Sequence, residues 1–336
     1  MARRTSRRAR SQKKGEEMSR RGSGCLTALA LVLSIAFVAL AATLLMLVAN
    51  GGGPGSPEPE RTSERVVADS FDEYSWQELS DIAGLIAAAP SDEEGRAIAS
   101  QHGIEVGAAR TLTLGDGSVV ELRVVGIRAD ERADGGGVAG LTLMTSPIAL
   151  RPFSDDKNAG GWETSDLRSW LAGEGASLLP DELVSCVVPV LKVTDNVAVR
   201  YGDSDAVGSL TTTADALWAP SVSEVCGEVD WFAREYGTTP SASSEYVDFG
   251  PYDAALSAQG EQYEYFSDAG VDGSSTSAAL VMAYGGTACN WWYRTSYPYA
   301  LEGWEQRMVY QVMSSGYPSM TSGPGERVGV VVGLCL

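Results

Sequence analysis

The sequence predicts an α+β domain carried behind a membrane-spanning helix. Three observations predict it. An uncharged apolar run occupies residues 25–49, two capping boxes at helical spacing follow at 75–103, and strand-like alternation then begins around Asp116-Gly117 and ends in ERVGVVVGLCL, residues 326–336. The organisation that follows is a basic leader (1–24), a transmembrane helix (25–49), a flexible linker (50–74), a helical pair (75–103) and an extracytoplasmic domain (104–336).

Within Cys25 to Ala49 only Thr27, Ser34 and Thr43 interrupt an apolar or small-residue run. A helix of that length reaches roughly 37 Å at about 1.5 Å per residue, enough to cross a hydrocarbon core of about 30 Å. Nine Lys or Arg precede it and the next basic residue beyond it is Arg61, which keeps the N-terminus in the cytoplasm and sends the rest outside. The run is longer than a signal-peptide core and follows a long leader, so an anchor is expected rather than a cleaved signal.

Beyond residue 24 the chain carries 16 basic and 42 acidic side chains, a net −26. A field of that sign repels nucleic acid and anionic lipid head groups, so neither is expected to bind the outer domain. Its four cysteines, Cys186, Cys226, Cys289 and Cys335, allow three pairings. An oxidising exterior favours bridges, and Cys226 with Cys289 and Cys186 with Cys335 is the preferred set. With no C-x-x-C spacing and His102 as the single histidine, no metal site and no cofactor are expected.

The elements follow in order. The linker is rich in Gly, Pro and charge. Ser75-Trp-Gln-Glu78 is a capping box, and Leu79, Ile82, Ala83 and Ile86 then recur on one helical face until Pro90. Ser91-Asp-Glu-Glu94 opens a second helix that Gly103 closes, with His102 as a capping or surface residue in its last turn. Residues 111–128 alternate about Asp116-Gly117 and predict a hairpin. Residues 131–140 form a loop and 140–150 a strand. Leu167, Trp170 and Leu171 share the face of a short helix starting near Thr164 or Ser165, and Pro180 begins another that Pro189 ends. Residues 195–214 read as a polar loop and 216–227 as a short strand running into a helical turn. Residues 228–288 read as loops with short helices, for example near 260–269. A strand at 290–298, a hairpin at 304–320 and a buried last strand complete the chain.

The order of GGWETSDLRSWL, ALWAPSVSEVCG, NWWYRT and RVGVVVGLCL resembles an uncharacterised bacterial family of unknown function, itself similar to C-type-lectin-like folds and the formylglycine-generating-enzyme clan. Its Trp-x-x-Ser-x-Leu-Arg-x-Trp-Leu pattern is matched by Trp162, Ser165, Leu167, Arg168, Trp170 and Leu171. Leu217, Ser221 and Glu224 match its Leu-x-x-Ser-x-x-Glu segment, and Trp291-Trp292-Tyr293-Arg294-Thr295 its Trp-Trp-Leu-Arg-Ser strand, with Tyr293 in place of Leu. The usual Gly-Val-Arg-Pro or Gly-Val-Ser-Pro ending is replaced by Gly329-Val-Val-Val332. The resemblance implies a lectin-like α+β domain over about 75–336, with the first and last strands paired, two flanking helices and a long region of variable loops. It implies no activity.

Function is expected to be binding rather than catalysis. Tyr297, Tyr299 and Trp304, with Trp291, Tyr293 and Tyr317, are the candidate ligand-binding aromatics, since Trp and Tyr offer a rigid apolar face with a polar edge to a glycan or a protein. Trp291 and Trp292 also fit a core strand, where they and Arg294 would be structural, and Arg168 fits an ion pair with Asp166 on its own helix. Asp203, Asp205 and the Asp268–Asp272 loop offer oxygens to calcium but complete no known loop. A nucleophile–histidine arrangement has only His102 to use. Ser154-Asp-Asp-Lys157 matches an S-x-x-K string without its S-D-N or K-T-G partners. The alternative to a binding module is an envelope assembly protein whose span or helical pair contacts another membrane protein.

Overall fold

The computed structural model describes residues 70–155, 160–196, 199–200, 210–237, 250–300 and 308–336. The leader, the span and nearly all of the linker lie outside the described residues, as do Asp203, Asp205, Lys157 and Trp304. Among the described residues no helix is long and apolar enough to cross a membrane.

Two helices open the structure. Helix α1 (Trp76–Ala87) starts at the reciprocal capping box of Ser75 and Glu78, and α2 (Asp92–Gln101) starts at Ser91, whose side chain accepts from the Glu94 amide. Leu79, Ile82, Ala83 and Ile86 of α1 and Ala99 of α2 bury into the same hydrophobic cluster as the sheets that follow. The helical pair therefore shares the core of the 104–336 region instead of standing apart from it. Arg128 pins it there, donating to the carbonyls of Ile86 and Ala87 at 2.9 and 2.6 Å and pairing with Asp92 at 2.8 Å.

The first sheet is antiparallel, with β1 (Ala109–Thr113), β2 (Val119–Ile127), β3 (Leu141–Thr145) and β15 (Gly333–Cys335) in that order. First and last strands thus share a sheet but sit at its two edges. They do not pair as expected, because β2 and β3 lie between them and β15 pairs with β3. The expected strand over 140–150 divides: β3 ends before Pro147, and β4 (Leu150–Arg151) joins the second sheet.

That second sheet runs β13 (Met320–Ser322), β12 (Val309–Val312), β10 (Trp291–Ser296), β14 (Val328–Gly329) and β4. It is mixed, since β10 and β14 are parallel and its other pairs antiparallel. The terminal apolar run is likewise shared out, with β14 in this sheet and β15 in the first. Between the strands lie helices α3 (Asp166–Trp170), α4 (Asp181–Val184), α5 (Val222–Cys226), α6 (Trp231–Tyr236), α7 (Gly250–Ser257) and α8 (Glu264–Asp268).

Three two-stranded pieces complete the fold. Strands β5 (Val190–Asp195) and β7 (Leu210–Asp215) pair antiparallel, so the far end of the expected 195–214 polar loop is a strand. Their Thr211, Thr212 and Thr213 are β-branched, so polarity concealed a strand that the side-chain shape favours. Strands β6 (Val199–Arg200) and β11 (Tyr299–Ala300) pair in parallel, and β8 (Met282–Tyr284) and β9 (Thr287–Cys289) form a hairpin.

Alternation along β10 separates two hydrophobic clusters. Trp292 faces the cluster holding α1 and the first sheet, whereas Trp291 and Tyr293 face the one holding α5 to α8. Val330 and Val332 follow Trp292, and Val331 follows Trp291.

Candidate functional site

Two arrangements stand out: a buried cluster of charges beneath the sheets and a surface cleft beside the β8–β9 hairpin.

The buried cluster is built by alternation and capping. On β5, Val190, Lys192 and Thr194 point inward together, which carries a lysine to 1% exposure. On β10, Arg294 lies on the Trp292 face and is wholly buried. Glu224 belongs to α5, where Ser221 caps its amide and its own carboxylate accepts from the Ser221 amide at 2.8 Å. Asp130 follows β2, and the Ala139 amide donates to its carbonyl at 2.8 Å.

These groups satisfy one another. Lys192 Nζ donates to Asp130 Oδ1, to Glu224 Oε1 at 2.9 Å and to the Tyr263 hydroxyl at 2.9 Å, and lies 3.9 Å from the Trp218 ring centroid. All three ammonium donors are used, and the aromatic face covers the charge. Arg294 grips Glu224 with both terminal nitrogens, Nη1 to Oε2 and Nη2 to Oε1 at 3.0 Å, and donates to the Gln259 carbonyl at 2.7 Å and to Thr194 at 2.9 Å. Asp130 Oδ2 accepts from Thr142 at 2.7 Å and from the Cys335 thiol at 3.5 Å.

Two buried cations thus face two buried carboxylates. Burial opposes the charge on Glu224 most strongly, but Arg294 and then Lys192 outweigh it and hold the carboxyl down at about 2. Burial, reinforced by Asp130 and Glu224, pushes the Tyr263 phenol well above its usual range. Burial and Asp130 do the same to the Cys335 thiol.

A second knot holds the tryptophan-arginine helix motif. Trp162 Nε1 donates to Asp215 Oδ2 at 3.0 Å, and Arg168 Nε to Asp215 Oδ1 at 2.6 Å. Arg168 therefore pairs with a strand residue and not with Asp166 as expected, because Asp166 turns back to accept from the Asp155 amide at 3.0 Å. Ser165 caps α3, Leu171 is buried, and half-buried Trp170 lies under Arg151 at 4.8 Å.

The binding aromatics divide. Trp291 and Tyr293 have no exposed surface: the Trp291 indole donates to the Leu280 carbonyl at 2.9 Å, and the Tyr293 hydroxyl meets the Cys226 thiol at 3.5 Å. Packing in the α5–α8 cluster removes both from any recognition face. Trp292 is buried as expected of a core residue, and its indole donates to the Arg151 carbonyl at 2.9 Å. Tyr297 is half-buried between Phe232 and Tyr310, with ring centroids 5.3 and 5.6 Å away. The Tyr299 backbone lies in β11, and Trp304 lies outside the described residues. Tyr317 is exposed, at 37%.

The four described cysteines are free, which corrects both expected bridges. Cys226 is turned into the core against Tyr293, whereas Cys289 is half-buried on the exposed hairpin. Cys186 lies at the end of α4, whereas the Cys335 side chain points inward to Asp130. His102 caps α2 and takes a hydrogen bond from the Tyr74 hydroxyl on its carbonyl at 3.1 Å. In the acidic loop Asp272 accepts from the amide and hydroxyl of Ser274 at 2.9 and 2.8 Å. No group of three or more metal-ligating side chains occurs among the described residues.

The surface cleft has a volume of about 360 Å³. Glu121 and Arg123 of β2, Met144 of β3, Tyr265 of α8, and Val281 and Met282 beside the hairpin line it. Arg123 is committed: it pairs with Glu121 at 2.5 Å, donates to the Gly107 carbonyl at 2.6 Å and lies 5.0 Å over the Tyr265 ring. Strand β8 pairs with β9 alone among the described residues. Gly285 and Gly286 join them at φ of 57° and 80°, the mirror-image turn that makes Tyr284 and Thr287 the closing hydrogen-bonded pair. Alternation then turns the amide and carbonyl of Ala283 away from β9, and Ala283 is exposed.

Sequence reasoning missed Lys192, Asp130 and Tyr263. The available signal was a lysine between Val190 and Thr194 at strand period, facing the core side of an apolar run. Nothing in the local sequence marks Asp130 or Tyr263, whose roles exist only when β2, β5 and α5 converge.

Fold and site define a loop-rich α+β domain whose sheets are tied together by buried ion pairs and whose surface presents a cleft with an open strand edge. Residues 139–329 match the domain of unknown function DUF6273, and the chain belongs to that family. No curated protein and no solved structure matches it.

Proposed function

We propose that this chain is a single-pass, membrane-anchored binding module that presents its domain outside the cell and holds an extended, basic polypeptide segment in the cleft beside β8. The uncharged run at 25–49 and the basic residues before it support the anchor and its orientation. The observation that carries the ligand reading is the open edge of β8 at Ala283, on the rim of a cleft with both apolar and charged walls. An unpaired edge offers amide and carbonyl groups to an added strand, and the adjoining cleft takes its side chains. A glycan is the weaker fit, because Arg123 already covers a face of Tyr265. The net −26 beyond residue 24 favours a basic partner.

The scaffold belongs to the same proposal. First and last strands in one sheet, helices against it and a loop-rich stretch between α5 and β10 support a C-type-lectin-like arrangement. No catalytic role is assigned.

The test is a solid-phase array of basic peptides together with a glycan array, probed with the full chain in detergent. Binding of basic, extended peptides that Ala283→Pro abolishes without unfolding is expected. Selective binding to glycans, or peptide binding indifferent to Ala283→Pro, contradicts the proposal.

A further inference from the structure

The buried cluster holds the parts of a condensation. We propose that Lys192 and Asp130 become joined by an intramolecular amide bond, with Glu224 relaying the proton and one water released. The proposal rests on the juxtaposition of an amine and a carboxyl group that touch, in a place 1% and 6% exposed, with a third carboxylate in hydrogen-bond reach of the same nitrogen.

The step balances without an oxidant or co-reactant. A proton passes from the Lys192 ammonium to Asp130 Oδ1, leaving an amine and a carboxylic acid. The nitrogen lone pair then attacks Cγ of Asp130, and the carbonyl pair moves onto Oδ2. That oxygen is where charge develops, and it already faces the Thr142 hydroxyl at 2.7 Å and the Cys335 thiol at 3.5 Å. Glu224 Oε1, 2.9 Å from Nζ, accepts the proton that the nitrogen sheds and passes it to the departing Oδ1 hydroxyl, which leaves as water with its bonding pair. The Tyr263 hydroxyl spans nitrogen and Oδ1 at 2.9 and 3.4 Å and offers a second path for the proton. The Oδ2 pair returns to form the amide carbonyl.

Charge accounts for the direction. Arg294 and Glu224 form a complete two-armed pair, so Lys192 and Asp130 are the cation and anion left over. Converting them to an amide removes two desolvated charges while the cluster stays neutral. Contact between two groups held by a fold substitutes for effective concentrations of about 10⁵ M or more, which is what a slow condensation requires.

Mass spectrometry of the full chain, purified in detergent, denatured and digested with trypsin, tests this. The expected product joins residues 129–132 to residues 169–200 through Lys192, with cleavage after Lys192 absent and a mass one water below the sum of the two peptides. Asp130→Asn is expected to yield a link of identical mass by losing ammonia, and Lys192→Met no link. Glu224→Gln is expected to leave most chains unlinked. Recovery of 129–132 and 169–192 as separate linear peptides from the folded natural chain overturns the proposal, whatever the variants do.

Discussion

Glu224 shows how one side chain ties sequence, core and stability together. It ends a capping box that sets its carboxylate locally, and Arg294 and Lys192 converge on it from two strands. Its carboxyl titrates at about 2 when folded, against an ordinary 4.5. A depressed value means that its contribution is complete above about pH 4.5 and is lost as pH falls toward 2. Thermal melts of the natural chain are expected to fall across that window, whereas Glu224→Gln melts lower at neutral pH and with a shallower acid dependence. Arg294→Met, which strands a buried carboxylate, is expected to cost about 3–5 kcal/mol in denaturant titrations. Aromatics contrast in the same way: Trp292→Ala removes a wholly buried ring and is expected to cost about 3–5 kcal/mol, whereas exposed Tyr317→Ala stays within about 0.5 kcal/mol.

At the scale of elements, the legible parts were those whose signals are local. Ser75 with Glu78, Ser91 with Glu94, and Asp116-Gly117 each act over a few residues, and α1, α2 and the β1–β2 hairpin form where these predict. The Trp-Trp-x-Arg run likewise forms strand β10. What escaped was set by distant partners. The apolar stretch 326–336 reads as one strand, yet Val328 pairs with Arg151 and Cys335 with Thr142, in different sheets. The Thr-rich β7 looks like a loop until β5 supplies its partner. Close approach makes the split specific: a Cβ on Gly333 would lie 2.5 Å from the Trp218 ring, and the two residues exchange backbone bonds at 3.1 and 2.7 Å. Gly333→Ala is therefore expected to lower stability by about 1–3 kcal/mol, measured by denaturant unfolding, through displacement of Trp218. A change to Ala at Gly84, which has open space around it, is expected not to destabilise.

For the molecule as a whole, the described residues cohere through two hydrophobic clusters joined across β10 and through charges buried beside them, and the four cysteines among them form no disulfide. Alkylation of the denatured chain without reductant is expected to label Cys186, Cys226, Cys289 and Cys335, and reductant is expected to leave the melting temperature unchanged. Of the candidate site, the motif residues were legible as structure: Trp162, Arg168, Glu224 and Arg294 all serve buried polar contacts. The cleft was not, because its walls come from β2, β3, α8 and β8, which only the fold assembles. The recognition reading and the assembly reading place the partner on different faces, β8 in the one and the helical pair in the other. Leu85 of α1 is 55% exposed and reports on the second face, and exposed Ala283 on the first. The most direct measurement is photocrosslinking in living cells from a reactive residue installed at Ala283 or at Leu85. Adducts from Ala283 that added basic peptide competes away are expected, and none from Leu85; adducts from Leu85 alone would contradict recognition at β8.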